Sequence, residues 1–492
     1  MPVALVFAPT RRIRAALLIL CVMFIGACTD RPDVRPGVPV VVYVVDSLRA
    51  DRLGVYGNTR AGSPSPNLDA LAAESVVFDA AYAPAPWTLP SMASLLTSTW
   101  PCEHRVLDNT RRLGPRPQTL ATRLRAAGYT TIGMSANPLL GERSGLSSGF
   151  DVFEAPVGAY QFSEFTAHHA SRPDAGTLFL YLHTLEPHNF FLTTKQFSQR
   201  FGLFTTPEID RIRALWLSYR AATTVDLAHG RPRGTTDNAS EQELFMASLS
   251  DLQARIEKLY DASVYQADDQ VGKVIQQLKE GGLWDNAIVI VLSDHGTELG
   301  EHGGWSHEQG LYEEQVRVPL IIHFPGGAHA GTRIDTPVSL VDVMPTIFDA
   351  LGAPSLCEEC SGRSLLALLA DTDAGDVAEP GRDARVLSVR DDRRTYYQPW
   401  KERRGDRNIA LRKGDWKAIW NAEPGTLELY NLAEDPGEAR DVSDSETELA
   451  DELEKLAQQW LEACGRGAPE AAAAPAIDEH TREQLESVGY FE

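Results

Sequence analysis

Three stretches of this chain are apolar at nearly every position and then stop at a polar group. They are "VPVVVYVVD" (38–46), "TLFLYLH" (177–183) and "AIVIVLSDH" (287–295). A strand with one wet face alternates apolar and polar residues, so a run apolar on both faces needs cover on both. "VPLIIHF" (318–324) reads the same way, and amphipathic stretches such as "NLDALAAES" and "ADDQVGKVIQQLKEGG" lie between the runs. Buried strands alternating with helices predict an α/β layered fold around a large, mostly parallel central sheet. In such sheets ligands bind beyond the carboxyl ends of the strands. Asp46, His183, Asp294 and His295 stand where the runs end, and His188 follows shortly after His183. Each alone is an ordinary turn, cap or core residue. Their recurrence at three strand ends makes them candidates for holding a metal or a phosphate.

With 492 residues, 43% of them hydrophobic, the chain can bury one large core and carry an appendage. Residues 40–370 read as the α/β domain, with a polar helical insertion or lid near 190–255. Residues 371–465 read as a smaller subdomain. In it a charged, loop-like stretch leads into "IALRKGDWKAIWN" and "LELYNL", a small antiparallel sheet, and then an amphipathic helix in "ETELADELEKLAQQWLEACG". Residues 466–492, including "APEAAAAPA", are expected to form a mobile tail.

Lys plus Arg number 46 against 68 Asp plus Glu, a net charge of −22. An acidic surface repels phosphodiester backbones and argues against a nucleic-acid partner. At the other end, "RRIR" precedes an apolar run from Ala15 to Ala27. As a helix that run spans about 20 Å, short of the roughly 30 Å of a bilayer core. Residues 1–27 therefore read as a signal peptide, and 28–39 as a Pro-rich tether. "FIGACTD" resembles a bacterial lipoprotein signal with Cys28 as the lipidated residue, which implies membrane anchoring in the periplasm or cell envelope. Ordinary cleavage near Ala27 and an uncleaved anchor are the alternatives. Of the other cysteines, Cys357 and Cys360 form one CxxC with no second pair, a weak zinc signal. A local disulfide or two free thiols is the better reading outside the cytoplasm.

"PAPWTLPSMASLLTS" (84–98) places Thr88 after a Pro/Trp-marked turn and before a helical pattern. Thr88 is either an N-cap or an attacking oxygen. Its neighbours bear on the choice. "YVVDSLRADRLGVYG", the Thr88 stretch, "LYLHTLEPH" and the long segment from "YDASVYQADDQ" to "VPLIIHFPG" resemble the sulfatase family of the alkaline phosphatase superfamily, in order and in spacing, over about residues 38–355. "KGDWKAIWNAEPGTLELYNLAEDPGEARDV" resembles that family's small C-terminal subdomain. The resemblance implies an alkaline-phosphatase-like layered fold with a small C-terminal antiparallel sheet, and a metal-dependent ester hydrolase or transferase. It places Asp46, Thr88, Asp294 and His295 at the divalent metal, with Thr88 also the nucleophile. His188 and His307 fall where charged substrate oxygens are held or, in some transferases, a further metal. His183 and Asn137 are weaker candidates for substrate contact. His302 and His104 read as structural, and Arg49 as either a partner of the carboxylates or a salt bridge to Asp51.

Two departures from the family pattern carry weight. Classical sulfatases have Cys or Ser at the Thr88 position, oxidised to formylglycine, and Arg at the Met92 position. Oxidising a threonine hydroxyl gives a ketone rather than the aldehyde whose hydrate expels sulfate. A phosphorylated threonine, by contrast, is cleaved by attack at phosphorus. The pair Thr88 and Met92 therefore points to phosphate monoesters, diesters or phosphonates as substrates. Ser47 also stands where many sulfatases carry a second Asp, and His295 replaces the usual Asn. Fewer oxygens and one imidazole favour Zn²⁺ or Mn²⁺ over Ca²⁺. The competing readings are a sulfuric ester hydrolase without classical formylglycine, a phospholipid-headgroup transferase and, least favoured, a non-catalytic binding protein.

Overall fold

The computed structural model describes residues 37–59, 64–155, 161–172, 177–202, 206–223, 239–307, 310–370, 385–391, 407–467 and 471–487. The leader, Cys28 and most of the tether lie outside them. The central sheet has eight strands: β1 (Val40–Val45), β2 (Val76–Phe78), β3 (Thr130–Ser135), β4 (Val152–Glu154), β5 (Leu178–Thr184), β6 (Ile288–Leu292), β7 (Leu320–His323) and β8 (Arg333–Ile334). Their order is β8-β2-β7-β6-β1-β5-β3-β4. The pairs around β1, β3 and β5 are parallel, whereas β7 runs antiparallel to both β6 and β2. The layered fold with a large, mostly parallel sheet stands as the sequence reads it. "VPLIIHF" forms the antiparallel member, a distinction that an apolar run does not encode.

β1, β5 and β6 are buried at every position. Val40, Val42 and Val44 face one core with Phe179, Tyr181 and the helix α2 (Thr88–Thr97). Val41, Tyr43 and Val45 face a second core, against helix α1 (Pro66–Ala73) and the 42-residue helix α4 (Ala239–Glu280). The registers align the strand ends, since Val44 stands opposite His183 on one side and Leu292 on the other. Asp46 and Asp294, each two residues beyond that level, therefore emerge side by side.

The insertion is helical where described: α3 (Thr206–Thr223) and the first half of α4. "ADDQVGKVIQQLKEGG" continues α4 into the body of the fold rather than forming a separate helix. Four antiparallel strands, β9 (Arg385–Asp391), β10 (Arg407–Lys413), β11 (Trp416–Asn421) and β12 (Thr426–Asn431), make the C-terminal sheet. Helix α5 (Thr447–Ala463) covers one face of it. The fully buried Lys417 bridges Glu313 of the large domain (2.9 Å) and Glu438 (2.8 Å). Cys102 is disulfide-bonded to Cys464, and Cys357 to Cys360. The first of these bridges carried no sequence signal.

The expectation of a mobile tail needs correction. Ala472–Ala473 pairs with Arg111–Arg112, and the helix α6 (Glu479–Ser487) buries Leu485 in the core beside α2. Ala472–Ala473, inside the stretch expected to be mobile, is a short strand.

Candidate active site

Thr88 is the first residue of α2, whose ten residues are all buried. Leu89, Met92, Ala93, Leu95 and Leu96 supply the apolar contacts that seat this helix in the core. Trp87, extended at φ −162°, precedes it with no side-chain cap, so first-turn amides have no partner within the helix. The Ser91 hydroxyl donates to the Asp294 carbonyl at 2.6 Å, tying α2 to the end of β6.

The Thr88 hydroxyl oxygen lies 3.1 Å from His295 Nε2. His295 Nδ1 is 2.7 Å from the Gly296 carbonyl, which can only accept, so Nδ1 carries a proton and Nε2 presents its lone pair. Gly296 packs so tightly on the Glu314 carbonyl that a Cβ has no room, which fixes this turn.

Asp46 is fully buried. Its Oδ2 accepts from Asn137 Nδ2 at 2.7 Å and stands 3.2 Å from His183 Nε2, while Oδ1 accepts from the Ser47 hydroxyl at 2.9 Å. Burial alone would raise its pKa, but the imidazoles of His188, His183 and His295 and the His183 hydrogen bond outweigh burial and hold it below the usual carboxylate range. Asp294 is also fully buried, and burial followed by the charge of Asp46 pushes it up. Its Oδ1 accepts from the amides of Ser47 (3.1 Å) and His295 (2.9 Å). Its Oδ2 accepts no hydrogen bond among the described residues and lies 3.4 Å from His295 Nε2.

Asp46, Asp294 and His295 thus each offer a ligand atom, all within 4.8 Å of one another, with the Thr88 hydroxyl alongside. Two buried carboxylates, one with an unbonded oxygen, an imidazole lone pair and a hydroxyl fit a divalent cation. The His307 ring lies 4.5 Å from that of His295 and 5.0 Å from that of His188, which lines up three imidazoles beside Thr88.

His183 and Asn137 differ from the expectation of substrate contact. Both turn to Asp46, and their other polar atoms are engaged: His183 Nδ1 with the Tyr181 hydroxyl at 2.8 Å, and Asn137 Oδ1 with the Leu139 amide at 2.9 Å. In this structure both hold the Asp46 carboxylate. Arg49 pairs with Asp51 (2.9 Å) and Glu301 (2.6 Å), not with Asp46 or Asp294. Met92 is wholly in the core. His104 bonds Ser94 at 3.0 Å, and burial lowers its pKa to about 3.

A second group, Glu298, His302 and Glu314, also gathers potential ligands. His302 is occupied at both nitrogens, by Glu314 (2.6 Å) and the Glu438 carbonyl (3.1 Å), and stacks on Tyr312. Burial would lower its pKa, but Glu314 and Glu438 raise it to about 9, so it acts as a structural cation. Sequence reasoning missed Tyr181, Ser91 and Tyr260. Tyr181 had a signal, since it lies two residues before His183 and shares its strand face; Tyr260 had none.

The chain matches the sulfatase family model over residues 39–353, and the model for the C-terminal region of N-sulphoglucosamine sulphohydrolase over 300–463. It belongs to the sulfatase family of the alkaline phosphatase superfamily, and is an ester hydrolase of that family. An N-acetylglucosamine-6-O-sulfatase of Bacteroides thetaiotaomicron is 23% identical over 90% of both chains. The multifunctional alkaline phosphatase superfamily protein PehA of Trinickia caryophylli is 27% identical over 68% of this chain and 78% of its own. The crystal structure of a phosphonate monoester hydrolase of Agrobacterium radiobacter superposes with a TM-score of 0.63 at 22% identity, covering 91% of this chain and 99% of that one.

Proposed function

We propose that the protein hydrolyses a phosphate monoester, phosphate diester or phosphonate ester through a covalent intermediate on Thr88. The observation that carries this reading is Thr88 itself, a secondary alcohol at the head of a buried helix with its oxygen 3.1 Å from His295 Nε2. Met92 supplies no cation to the site, because it is spent on the core.

In the first step the Thr88 oxygen attacks phosphorus, and the ester oxygen leaves with the bonding electrons and takes up a proton. In the second, water attacks the phosphothreonine phosphorus and the Thr88 oxygen departs, regaining its proton. A divalent cation held by Asp46, Asp294, His295 and Thr88 would lower the pKa of the hydroxyl and offset substrate charge. Zn²⁺ or Mn²⁺ is the metal this donor set favours. Asn137 and His183 fix the Asp46 carboxylate, and first-turn amides of α2 face the anion. His188 and His307 bind the non-bridging oxygens, and one of them protonates the leaving group.

The second reading is sulfuric ester hydrolysis, which the sulfatase names among the relatives favour. Trapping separates the two: quenching during turnover should leave a phosphoryl or alkyl-phosphoryl adduct on the peptide containing Thr88. A formylglycine-like oxidation product or a sulfated residue there would support the alternative.

A further inference from the structure

Ser47 follows Asp46, two residues beyond the end of β1, and is 1% exposed. Its φ is +60°, in the left-handed region where glycine is the default and a side chain is disfavoured. Three bonds radiate from it, and a fourth braces its anchor. Its hydroxyl donates to Asp46 Oδ1 at 2.9 Å, and its amide donates to Asp294 Oδ1 at 3.1 Å. Its carbonyl accepts the Tyr260 hydroxyl proton at 2.6 Å, and that same hydroxyl oxygen accepts the Arg49 amide at 2.9 Å. Among the described residues Ser47 is thus bonded to both acidic members of the site at once. It is held in turn by a fully buried tyrosine of α4.

We propose that Ser47 is a positioning residue for the metal centre, with Tyr260 its anchor. The inference rests on the assignment of Asp46, Asp294 and His295 as ligands. Two buried carboxylates repel one another. Without a cation they lower that repulsion by rotating apart, and a cation must then draw them back. One residue that donates to both fixes their rotamers and separation in advance: Asp294 is held through Oδ1 with Oδ2 3.4 Å from His295 Nε2, and Asp46 is held through Oδ1, the oxygen that itself lies 3.7 Å from that nitrogen. Glycine would suit the backbone better. What serine adds is the hydroxyl, and that hydroxyl goes to Asp46. Tyr260 extends the chain of support into the helix whose first half is the insertion, coupling the metal loop to the insertion.

The test is Zn²⁺ affinity of the full-length, metal-stripped protein, read by competition with a chromophoric chelator, for wild type, Ser47→Gly, Ser47→Ala, Tyr260→Phe and Asp294→Asn. Ser47→Gly keeps the left-handed backbone and removes only the hydroxyl, so its metal-free melting temperature should match wild type. Ser47→Ala is the second variant should glycine loosen the turn. Both should bind Zn²⁺ about 10–100-fold more weakly, and Tyr260→Phe should shift in the same direction by a smaller factor. A change under about fivefold in both Ser47 variants, with Asp294→Asn losing Zn²⁺, overturns the role of Ser47 and leaves the ligand set standing. Wild-type affinity in Asp294→Asn overturns the ligand set and this inference with it.

Discussion

A threonine hydroxyl is a poor nucleophile at neutral pH, and the role proposed for Thr88 depends on its surroundings. His295 Nε2 lies within hydrogen-bond distance of it, and a divalent cation held by Asp46 and Asp294 beside it would lower its pKa, which the two carboxylates alone would raise. Thr88→Ala should lower turnover at least about a thousandfold and stability by about 1 kcal/mol. Thr88→Ser should retain measurable activity, because it keeps the hydroxyl; steady-state kinetics and thermal melts check both. Asp294→Ala and Asp46→Ala remove a charged ligand, so elemental analysis should find metal occupancy lost along with activity. His307→Ala should keep the metal and lower kcat about 10²–10³-fold, and equal metal loss would move His307 into the ligand set. Asp46, Asp294 and His295 were legible in sequence because a buried strand leaves polar groups only at its end. Asn137 and His183 were legible as site residues but not in their direction. Which way a side chain faces depends on strand register, and register is not written in composition.

Between elements, the joint of the C-terminal sheet and the large domain holds a buried ionic link beside its apolar contacts. Lys417 has no solvent to fall back on, so Lys417→Ala should strand Glu313 and Glu438 and destabilise the protein by about 3–5 kcal/mol, read by denaturant unfolding. His302 joins the same two parts through Glu314 and the Glu438 carbonyl. Its pKa in the folded protein, about 9, exceeds the roughly 6.5 of an unfolded chain. The folded state therefore binds the extra proton. Its contribution is complete below about pH 6.5 and is lost as pH rises through 9. Glu298, raised to about 8 by burial and by Glu314, slopes in the same sense. Melting temperature should fall from pH 6.5 to 9, and His302→Gln should flatten part of that fall; an unchanged slope would contradict the assignment. Periodicity revealed the strands and helices on either side of this joint. It could not reveal the joint, because Glu313, Lys417 and Glu438 look like surface charges until they are folded together.

Over the whole molecule, the layered α/β architecture followed from three short, Val- and Ile-rich or Leu-rich apolar runs alternating with amphipathic helices, since strands apolar on both faces need cover on both. The 42-residue length of α4 and the packing of residues 471–487 did not, because a polar helix and an alanine-rich segment acquire their places only from contacts far along the chain. Location is tested at the same scale. If Cys28 is lipidated, the native protein partitions with membranes and Cys28→Ser releases it; an unmodified mature N-terminus beyond Cys28 in mass spectrometry ends that proposal. The central claim is that a sulfatase-family scaffold bearing Thr88 acts on phosphorus. It is tested most directly by kcat/KM of the metal-loaded protein on 4-nitrophenyl sulfate against the matched phosphate monoester, phosphate diester and phosphonate ester. Phosphoryl chemistry at Thr88 predicts that at least one phosphorus ester is favoured tenfold or more, about 1.4 kcal/mol of transition-state stabilisation. A tenfold preference for the sulfate would contradict it.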